Sequence, residues 1–223
     1  MNQPQAGNVD FSDIDWVFLD MDGTLLDLYF DDQVWNQRLP IRYALAKDLP
    51  LEQAREAIEG LMAPIRGTLQ WYCFDHWQKV TGFDLTEIED EVWEHVKPRP
   101  GAVQFLENLR KISATIVLTT NADRRSMTRK ITHTGIEPYL DHIVSSHDFG
   151  HAKENHAFWL RLQNEFDFDP QRALFIDDNE AVLAAAQAFG IAYLYCISQP
   201  NSQGERKVSD DYYYLDSFSE FAL

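Results

Sequence analysis

Two aspartates, Asp20 and Asp22, follow a short apolar run and precede a glycine, Gly23. The run from Trp16 to Leu19 is typical of a strand buried on both faces, and glycine permits a sharp turn where the strand ends. Carboxylates two residues apart repel each other, so the pair favours a cation or a proton beside it. Asp-Gly pairs also occur in plain turns. The preceding strand favours a chemical role, because ligands bind at the carboxyl ends of strands in open α/β sheets.

A second acidic pair, Asp177 and Asp178, follows the apolar residues 173–176 in the same manner. Asp178 or Asn179 could instead cap the helix that follows. If both acidic pairs lie at one edge of a sheet, four carboxylates are close together, and a divalent ion is needed to offset their repulsion. Hard oxygen ligands with few histidines or cysteines favour Mg²⁺ over zinc.

Thr120 and Asn121 follow a strand predicted over residues 114–118. A hydroxyl and free backbone N–H groups at a strand-to-helix junction form a corner that binds phosphate. The same residues suit a plain helix cap equally well. The sequence therefore leaves both roles open for this pair.

Lys153 lies in a loop after a short strand predicted at residues 143–144. A lysine there could place its charge against a carboxylate and a phosphoryl group. Taken alone, however, a loop lysine is usually a solvated surface residue. Three other cations compete for the same role, and their spacing predicts the exposed face of a helix: Arg124, Arg125 and Lys130.

The sequence pattern of residues 28–97 predicts helices and no strand. Pro40 is expected to interrupt or restart the first helix, and one helix is expected over residues 67–82. Thr86 and Glu89 form a capping-box pattern before a further helix. The segment is therefore expected to be an all-helical insertion.

Beyond Pro100, apolar strands alternate with helices. This alternation implies a mainly parallel sheet with helices on both faces, and residues 212–215 are a candidate edge strand. The predicted fold is α/β, a Rossmann-like core of residues 1–27 and 98–223. An all-helical cap of residues 28–97 is inserted after the first strand.

The string FLDMDGTLLD at residues 18–27 resembles the signature of the haloacid dehalogenase-like hydrolases, in particular their phosphatase branch. The dehalogenase branch lacks the second aspartate, so Asp22 speaks against dehalogenation. The resemblance implies that Asp20 is a nucleophile and that Asp22 is a general acid and base. It also implies that Thr120 and Lys153 bind the transferring phosphate.

The metal site implied by this resemblance is a Mg²⁺ site. Asp178 matches the family's direct carboxylate ligand in its last acidic motif, and Asp177 matches the neighbouring position. Asp20 and the backbone carbonyl of Asp22 complete the implied set of protein ligands.

An aromatic stretch in the helical insertion contains Trp71, Tyr72, Phe74 and Trp77. Trp71, Phe74 and Trp77 recur at steps of three residues, which is typical of core packing. Aromatic faces also suit stacking on a purine base. The stretch is similar to the matching segment of bacterial GMP/IMP nucleotidases, and the strings TNA, HTG and LFIDD occur there in the same order. This resemblance implies that Trp71, Tyr72 and Asn121 bind a purine nucleoside 5'-monophosphate.

Composition argues against several other classes of function. A net charge of -17 without a basic stripe argues against nucleic acid polymers as partners. Residues 1–12 show no leader, and no apolar stretch reaches the ~20 residues of a membrane span. Cys73 and Cys196 have no disulfide or zinc-ribbon spacing, so a cytoplasmic location is expected. A zinc site is not supported by the loop spacing of three neighbouring histidines: His147, His151 and His156.

Three rival functions fit parts of this pattern. A phosphomutase would use the same motifs, and so would a phosphatase for phosphoglycolate or sugar phosphates. A phosphorylatable Mg²⁺-binding interaction module is the non-enzymatic alternative. Asp22, Lys153 and an insertion of this size argue against that module, because it needs no lid over its aspartate.

Overall fold

A computed structural model describes residues 9–221 of the chain. Its centre is one six-stranded sheet in the order β3-β2-β1-β4-β5-β6, in which every pairing is parallel. The strands are β1 (Trp16–Leu19), β2 (Thr115–Thr120), β3 (His142–Ser145), β4 (Ala173–Asp177), β5 (Tyr193–Ile197) and β6 (Tyr213–Leu215). The expected α/β class and the edge strand are thus confirmed.

The register of the central strands places their carboxyl ends side by side. Leu19 of β1 pairs with Leu118 of β2 on one side and with Ile176 of β4 on the other. The chain proceeds outward from β1 to β3 and then returns to the opposite side of β1 as β4. Such a reversal of strand order opens a crevice at the carboxyl edge, where ligands bind in α/β proteins.

Side chains on the two faces of the sheet alternate between two cores, as expected for strands buried on both sides. Val17 and Leu19 belong to one core, and Phe18 belongs to the other. The helices of residues 98–221 are α7 (Ala102–Leu109), α8 (Arg124–Thr134), α9 (Ser146–Phe149), α10 (His156–Phe166) and α11 (Glu180–Phe189). Helices α7 and α8 contribute to the first core, and α10 and α11 contribute to the second.

Between β1 and α7, every described element is helical, and its apolar side chains form a third core around Trp77. We call residues 28–97 the helical segment. Its helices are α1 (Tyr29–Asp32), a π-helix (Gln33–Arg38), α2 (Leu39–Lys47), α3 (Leu51–Met62), α4 (Leu69–Tyr72), α5 (Phe74–Thr81) and α6 (Leu85–Asp90). Short 3₁₀ turns occur at Phe11–Asp13, Ala63–Ile65, Trp93–His95, Glu137–Tyr139, Pro170–Arg172 and Phe218–Glu220.

Of three local expectations for the helical segment, one is confirmed and two are corrected. The chain restarts as α2 around Pro40, which occupies the first turn of that helix, directly after the π-helix, where the missing N–H is tolerated. The single helix expected over residues 67–82 breaks at Cys73. The capping box is wrong, because Asp84 caps α6 and accepts from the backbone N–H of Thr86. Glu89 is buried and binds groups of α8 instead.

The last described residues pack against the sheet and against α7. Strand β6 extends the sheet at its β5 edge, and Phe218 stacks on Phe105 of α7. Across residues 9–221, no helix combines the length and apolar character that a membrane crossing requires. The expectation of no leader concerned residues 1–12, and residues 1–8 of these lie outside the described residues.

Candidate active site

Lys153 joins two carboxylates at the carboxyl edge of the sheet. Its Nζ lies 2.5 Å from Oδ1 of Asp20, which follows β1, and 2.7 Å from Oδ2 of Asp177, which ends β4. The same Nζ donates to the carbonyl of Thr119 at 3.0 Å. Only 1% of Lys153 is exposed, and Trp159 donates to its carbonyl from α10. The loop lysine is therefore a buried cation of the site, and its interpretation as a surface residue is wrong.

Asp178 completes a cluster of three carboxylates with Asp20 and Asp177. One oxygen of each lies within 4.8 Å of the others. Asn179, and not Asp178, caps α11 by accepting from the N–H of Ala181, which leaves the Asp178 carboxylate to the cluster. Hard oxygen donors at this spacing fit a divalent cation such as Mg²⁺.

Gly23 allows this cluster to form because its backbone lies against the Asp178 carboxylate. A Cβ on Gly23 would lie 2.6 Å from both Cγ and Oδ2 of Asp178. The residue also has φ of +87°, in the left-handed region that favours glycine. The turn after β1 therefore requires glycine for two independent reasons.

The buried cluster holds more negative charge than its one lysine offsets. Burial raises the pKa of Asp20 well above its usual range, although Lys153 opposes this rise. Burial and the neighbouring Asp177 raise the pKa of Asp178 to about 7. Burial alone would lower the pKa of Lys153, but Asp177 and Asp20 outweigh it and raise that pKa. Lys153 is thus a fixed cation, and the remaining charge suits a bound metal ion.

Asp22 contacts Lys130, whereas Asp20 contacts Lys153. Its Oδ1 accepts from Nζ of Lys130 at 2.8 Å, and this lysine lies on α8 and is 1% exposed. The prediction that Lys130 lies on an exposed helix face is therefore wrong. The helical spacing was recognised, but both partners of the lysine lie about a hundred positions away in the chain, so no local signal marks its burial.

Thr120 and Asn121 form the wall next to Lys153. The Thr120 hydroxyl accepts from the N–H of Ala122 at 3.0 Å. Asn121 accepts from the N–H of Lys153 at 2.9 Å, and Asp123 rather than Asn121 caps α8. The plain helix cap considered for this pair is thus excluded.

Glu154 links this wall to the helical segment, and sequence analysis did not single it out as a site residue. One carboxylate oxygen accepts from Nδ2 of Asn121 at 2.9 Å, and the other accepts from the hydroxyl of Tyr72 at 2.8 Å. Tyr72 lies on α4, so the bond connects the helical segment to the loop that carries Lys153. The neighbouring Lys-Glu pair was the available sequence signal.

A cavity of about 1100 Å³ lies between the helical segment and the carboxyl edge of the sheet. Trp71 and Tyr72 line it on one side, and Asp20 and Lys153 line it on the other. Phe74 also lines the cavity, yet it is buried in the third core together with Trp77. The aromatic stretch therefore contributes to core packing, as one interpretation predicted, and it also forms part of the cavity wall. Stacking on a purine stays a prediction.

The three histidines considered for zinc do not meet. Within residues 9–221, the grouping that includes His147 joins it to Cys73 and Asp123, and neither His151 nor His156 belongs to it. Both oxygens of Asp123 already accept hydrogen bonds, from Arg125 and from the N–H of Phe74. This arrangement uses the carboxylate to hold backbone and arginine groups, so it does not favour a metal.

Comparisons with known proteins agree with this geometry. Residues 14–190 match the model of a family described as hydrolase, haloacid dehalogenase-like hydrolase. The chain is 35% identical over 195 residues to the GMP/IMP nucleotidase YrfG of Escherichia coli K12, covering 87% of this chain and 88% of that protein. It is 28% identical over 182 residues to the pyrimidine 5'-nucleotidase YjjG of the same strain, covering 74% and 77%.

A solved structure supports the fold. The crystal structure of a HAD phosphatase from Thermococcus onnurineus superimposes with a TM-score of 0.76 at 18% identity, over 93% of this chain and 95% of that chain. The second aspartate after the nucleophile position, Asp22, is the residue that the resemblance associates with phosphatases. The chain belongs to the haloacid dehalogenase-like hydrolase family, and it is a phosphoric monoester hydrolase.

Proposed function

We propose that this protein is a Mg²⁺-dependent phosphatase that hydrolyses purine nucleoside 5'-monophosphates, GMP and IMP, through an aspartyl-phosphate. The observation that carries the proposal is the buried contact of Asp20 with Lys153 beside Asp178, at the floor of a cavity that Trp71 and Tyr72 cover. Residues 1–27 and 98–223 act as the catalytic core, and residues 28–97 act as its cap.

The reaction proceeds in two steps on Asp20. A carboxylate oxygen of Asp20 attacks the phosphorus in line, and the bond from phosphorus to the ribose oxygen breaks. Asp22 gives a proton to that leaving oxygen. A water then attacks the phosphorus of the aspartyl-phosphate while Asp22 takes a proton from it, which releases phosphate and restores the Asp20 carboxylate.

Asp20, the backbone carbonyl of Asp22 and Asp178 would hold Mg²⁺, with Asp177 next to them. When bound, the ion supplies positive charge against the phosphoryl oxygens. Lys153 and Thr120 bind the same oxygens, together with backbone N–H groups near Met21 and Asn121. The cap excludes bulk water from the first step and admits it for the second.

The purine preference rests on the aromatic wall and on similarity. Trp71 presents a half-buried ring to the cavity, and flat bases stack on such faces. Of the two Escherichia coli relatives, the one named for purine nucleotides is the more similar, at 35% against 28% identity. A cytoplasmic location, where nucleotides are abundant, completes the proposal.

The rivals are separated by one assay of phosphate release with Mg²⁺. The panel contains GMP, IMP, pyrimidine nucleotides, phosphoglycolate and sugar phosphates. We expect the highest kcat/KM for GMP and IMP; a clear preference for phosphoglycolate or a sugar phosphate would contradict the purine assignment. A phosphomutase would isomerise a sugar phosphate without releasing phosphate, and an interaction module would remain phosphorylated without turnover.

The nucleophile is tested with Asp20→Asn. We expect turnover to disappear while the fold, measured by circular dichroism, persists, because the amide has the same shape but is a poor nucleophile. Appreciable phosphate release by this variant would refute the assigned role of Asp20.

A further inference from the structure

Lys130 is a buried cation that connects the acid–base aspartate to the helical segment through two partly buried ion pairs. Its Nζ lies 2.8 Å from Oδ1 of Asp22 and 2.9 Å from both oxygens of Asp31. The ammonium also lies over the ring of Phe30, 4.7 Å from its centroid. Three parts of the chain therefore meet at one nitrogen: the turn after β1, the helix α1 and the helix α8.

The burial of this cation calls for an explanation beyond a surface salt bridge. Lys130 is 1% exposed, and a lysine is almost never fully buried unless it is paired. A buried charge is costly, and replacing a whole buried ion-pair cluster with apolar side chains is often neutral for stability. Stability alone therefore does not account for a lysine at this position.

Lys130 contacts one oxygen of Asp22, so it can orient this carboxylate and leave the other oxygen available. Among residues 9–221, the hydrogen bond to Asp22 engages only Oδ1. The second oxygen is left for the proton transfers of the proposed reaction. Asp31 holds the ammonium through both of its oxygens, so the lysine is fixed from the helical segment.

We propose that Lys130 is a positioning residue for Asp22, and that Asp31 anchors it, so that Asp22 is oriented when the helical segment is docked on α8. This inference rests on the proposed function, in which Asp22 transfers the protons. It extends that function by naming two residues outside the family's motifs on which the proton transfer depends.

The test exploits the leaving group. An alkyl ester that the wild type hydrolyses, such as a nucleoside monophosphate, needs protonation of its leaving oxygen. In p-nitrophenyl phosphate, by contrast, the leaving group departs as the nitrophenolate anion and needs no proton. The first step is measured for both esters in single turnover with enzyme in excess, for the wild type and for Lys130→Met and Asp31→Asn.

For Lys130→Met we expect the alkyl ester rate to fall about 10- to 100-fold, because a catalytic group displaced by about 1 Å loses rate on that order. The nitrophenyl ester rate should fall less than about threefold, because its leaving group does not depend on the acid. Asp31→Asn should show the same selectivity with a smaller loss. The exposed Lys79→Met is the control and should leave both rates unchanged.

Equal losses for the two esters would overturn the proposal, because a purely structural or binding role would affect them alike. Unchanged rates in Lys130→Met would overturn it as well. If that variant fails to fold, Lys130→Met combined with Asp31→Leu removes the lysine together with its anchoring carboxylate and is judged by the same selectivity. A wild type that hydrolyses no phosphate ester would instead refute the proposed function, and this role with it.

Discussion

Lys153 is the residue on which the charge balance of the acidic centre depends. It lies against Asp20 and Asp177 at 2.5 and 2.7 Å, and both carboxylates are buried. Removing one member of a buried ion pair leaves an uncompensated charge, which is more damaging than removing the whole pair. The lysine should therefore matter for folding as well as for the reaction.

We expect Lys153→Met to lose about 3 kcal/mol of unfolding free energy, because Asp20 and Asp177 lose their buried partner. Activity should fall at least about 10²-fold, since the positive charge beside Asp20 and the phosphoryl oxygens is gone. Urea unfolding with and without Mg²⁺ measures the first effect, and the ion should stabilise the variant more than the wild type. Lys79→Met, at an exposed lysine, is the control. Unfolding like that of the wild type without Mg²⁺ would contradict this account.

Gly23 allows metal affinity to be separated from backbone strain. Gly23→Ala places a Cβ 2.6 Å from the Asp178 carboxylate, at φ of +87°. The matched control is Gly82→Ala, where φ is +86° and nothing lies within 4 Å of the added carbon. Both variants should lose about 1–2 kcal/mol from the left-handed backbone. Only Gly23→Ala should bind Mg²⁺ more weakly in calorimetry; equal affinities in the two variants would rule out the steric role.

At this scale, motif residues were predictable and their partners were not. Asp20, Asp177 and Asp178 were predictable because each follows an apolar strand directly. Lys130 was not, because its role depends on Asp31 and Asp22, which a different part of the chain brings to it. A helical lysine with polar neighbours has the same local pattern whether it is exposed or buried.

Among the elements of residues 98–221, α8 carries several of the side chains that hold the helical segment. Asp123 caps α8 and also accepts from the N–H of Phe74, the first residue of α5, at 3.0 Å. Glu89 of α6 binds Arg129 of α8, and Arg125 of α8 binds Asp75 of α5. The pattern is basic on α8 and acidic on the segment, so charge complementarity contributes to docking.

The pH dependence of stability should reveal the Asp123 contact. Burial opposes ionisation, but hydrogen bonds from Arg125 and from the N–H of Phe74 outweigh it and lower the pKa of Asp123. A lowered folded pKa means that this contribution is present above about pH 4 and is lost as pH falls through the folded pKa. Asp123→Asn should therefore be less stable than the wild type by about 1–2 kcal/mol at neutral pH.

That deficit should shrink below about pH 4, because the wild type then loses the same ionised contact. Urea unfolding of both proteins from pH 7 to pH 3 measures it. Asp75→Asn removes an exposed partner of the same Arg125 and should change stability by less than about 1 kcal/mol. A deficit for Asp123→Asn that is independent of pH would show that the ionised form makes no difference.

Element types were predictable from periodicity, whereas caps and breaks depended on distant contacts. The edge strand expected over residues 212–215 forms as Tyr213–Leu215. The capping box failed because Glu89 is drawn to Ser126 and Arg129 of α8, which leaves Asp84 to cap α6. A side chain that binds a charged group elsewhere in the fold is not available to cap the backbone next to it.

For the whole molecule, the loop after β5 closes the joint between the sheet and the helical segment. The N–H of Leu28 donates to the carbonyl of Pro200 at 3.1 Å, and the N–H of Ser202 donates to Asp27 at 3.0 Å. Arg99, on the returning connection, donates to the carbonyls of Gln199 and Pro200. This loop, residues 198–212, thus ties both connections together.

We expect Arg99→Met to loosen this joint as a unit, because one half-buried guanidinium holds the loop that contacts both Asp27 and Leu28. Unfolding free energy should fall by about 1–3 kcal/mol, since two partly buried carbonyls lose a charged donor. Hydrogen exchange at the amides of Leu28 and Ser202 should accelerate together by about tenfold. Arg110→Met, which breaks an exposed ion pair with Asp141, should leave both amides unchanged. Unaltered exchange in Arg99→Met would mean that the loop is held without the arginine, and the joint would then depend on its backbone hydrogen bonds alone.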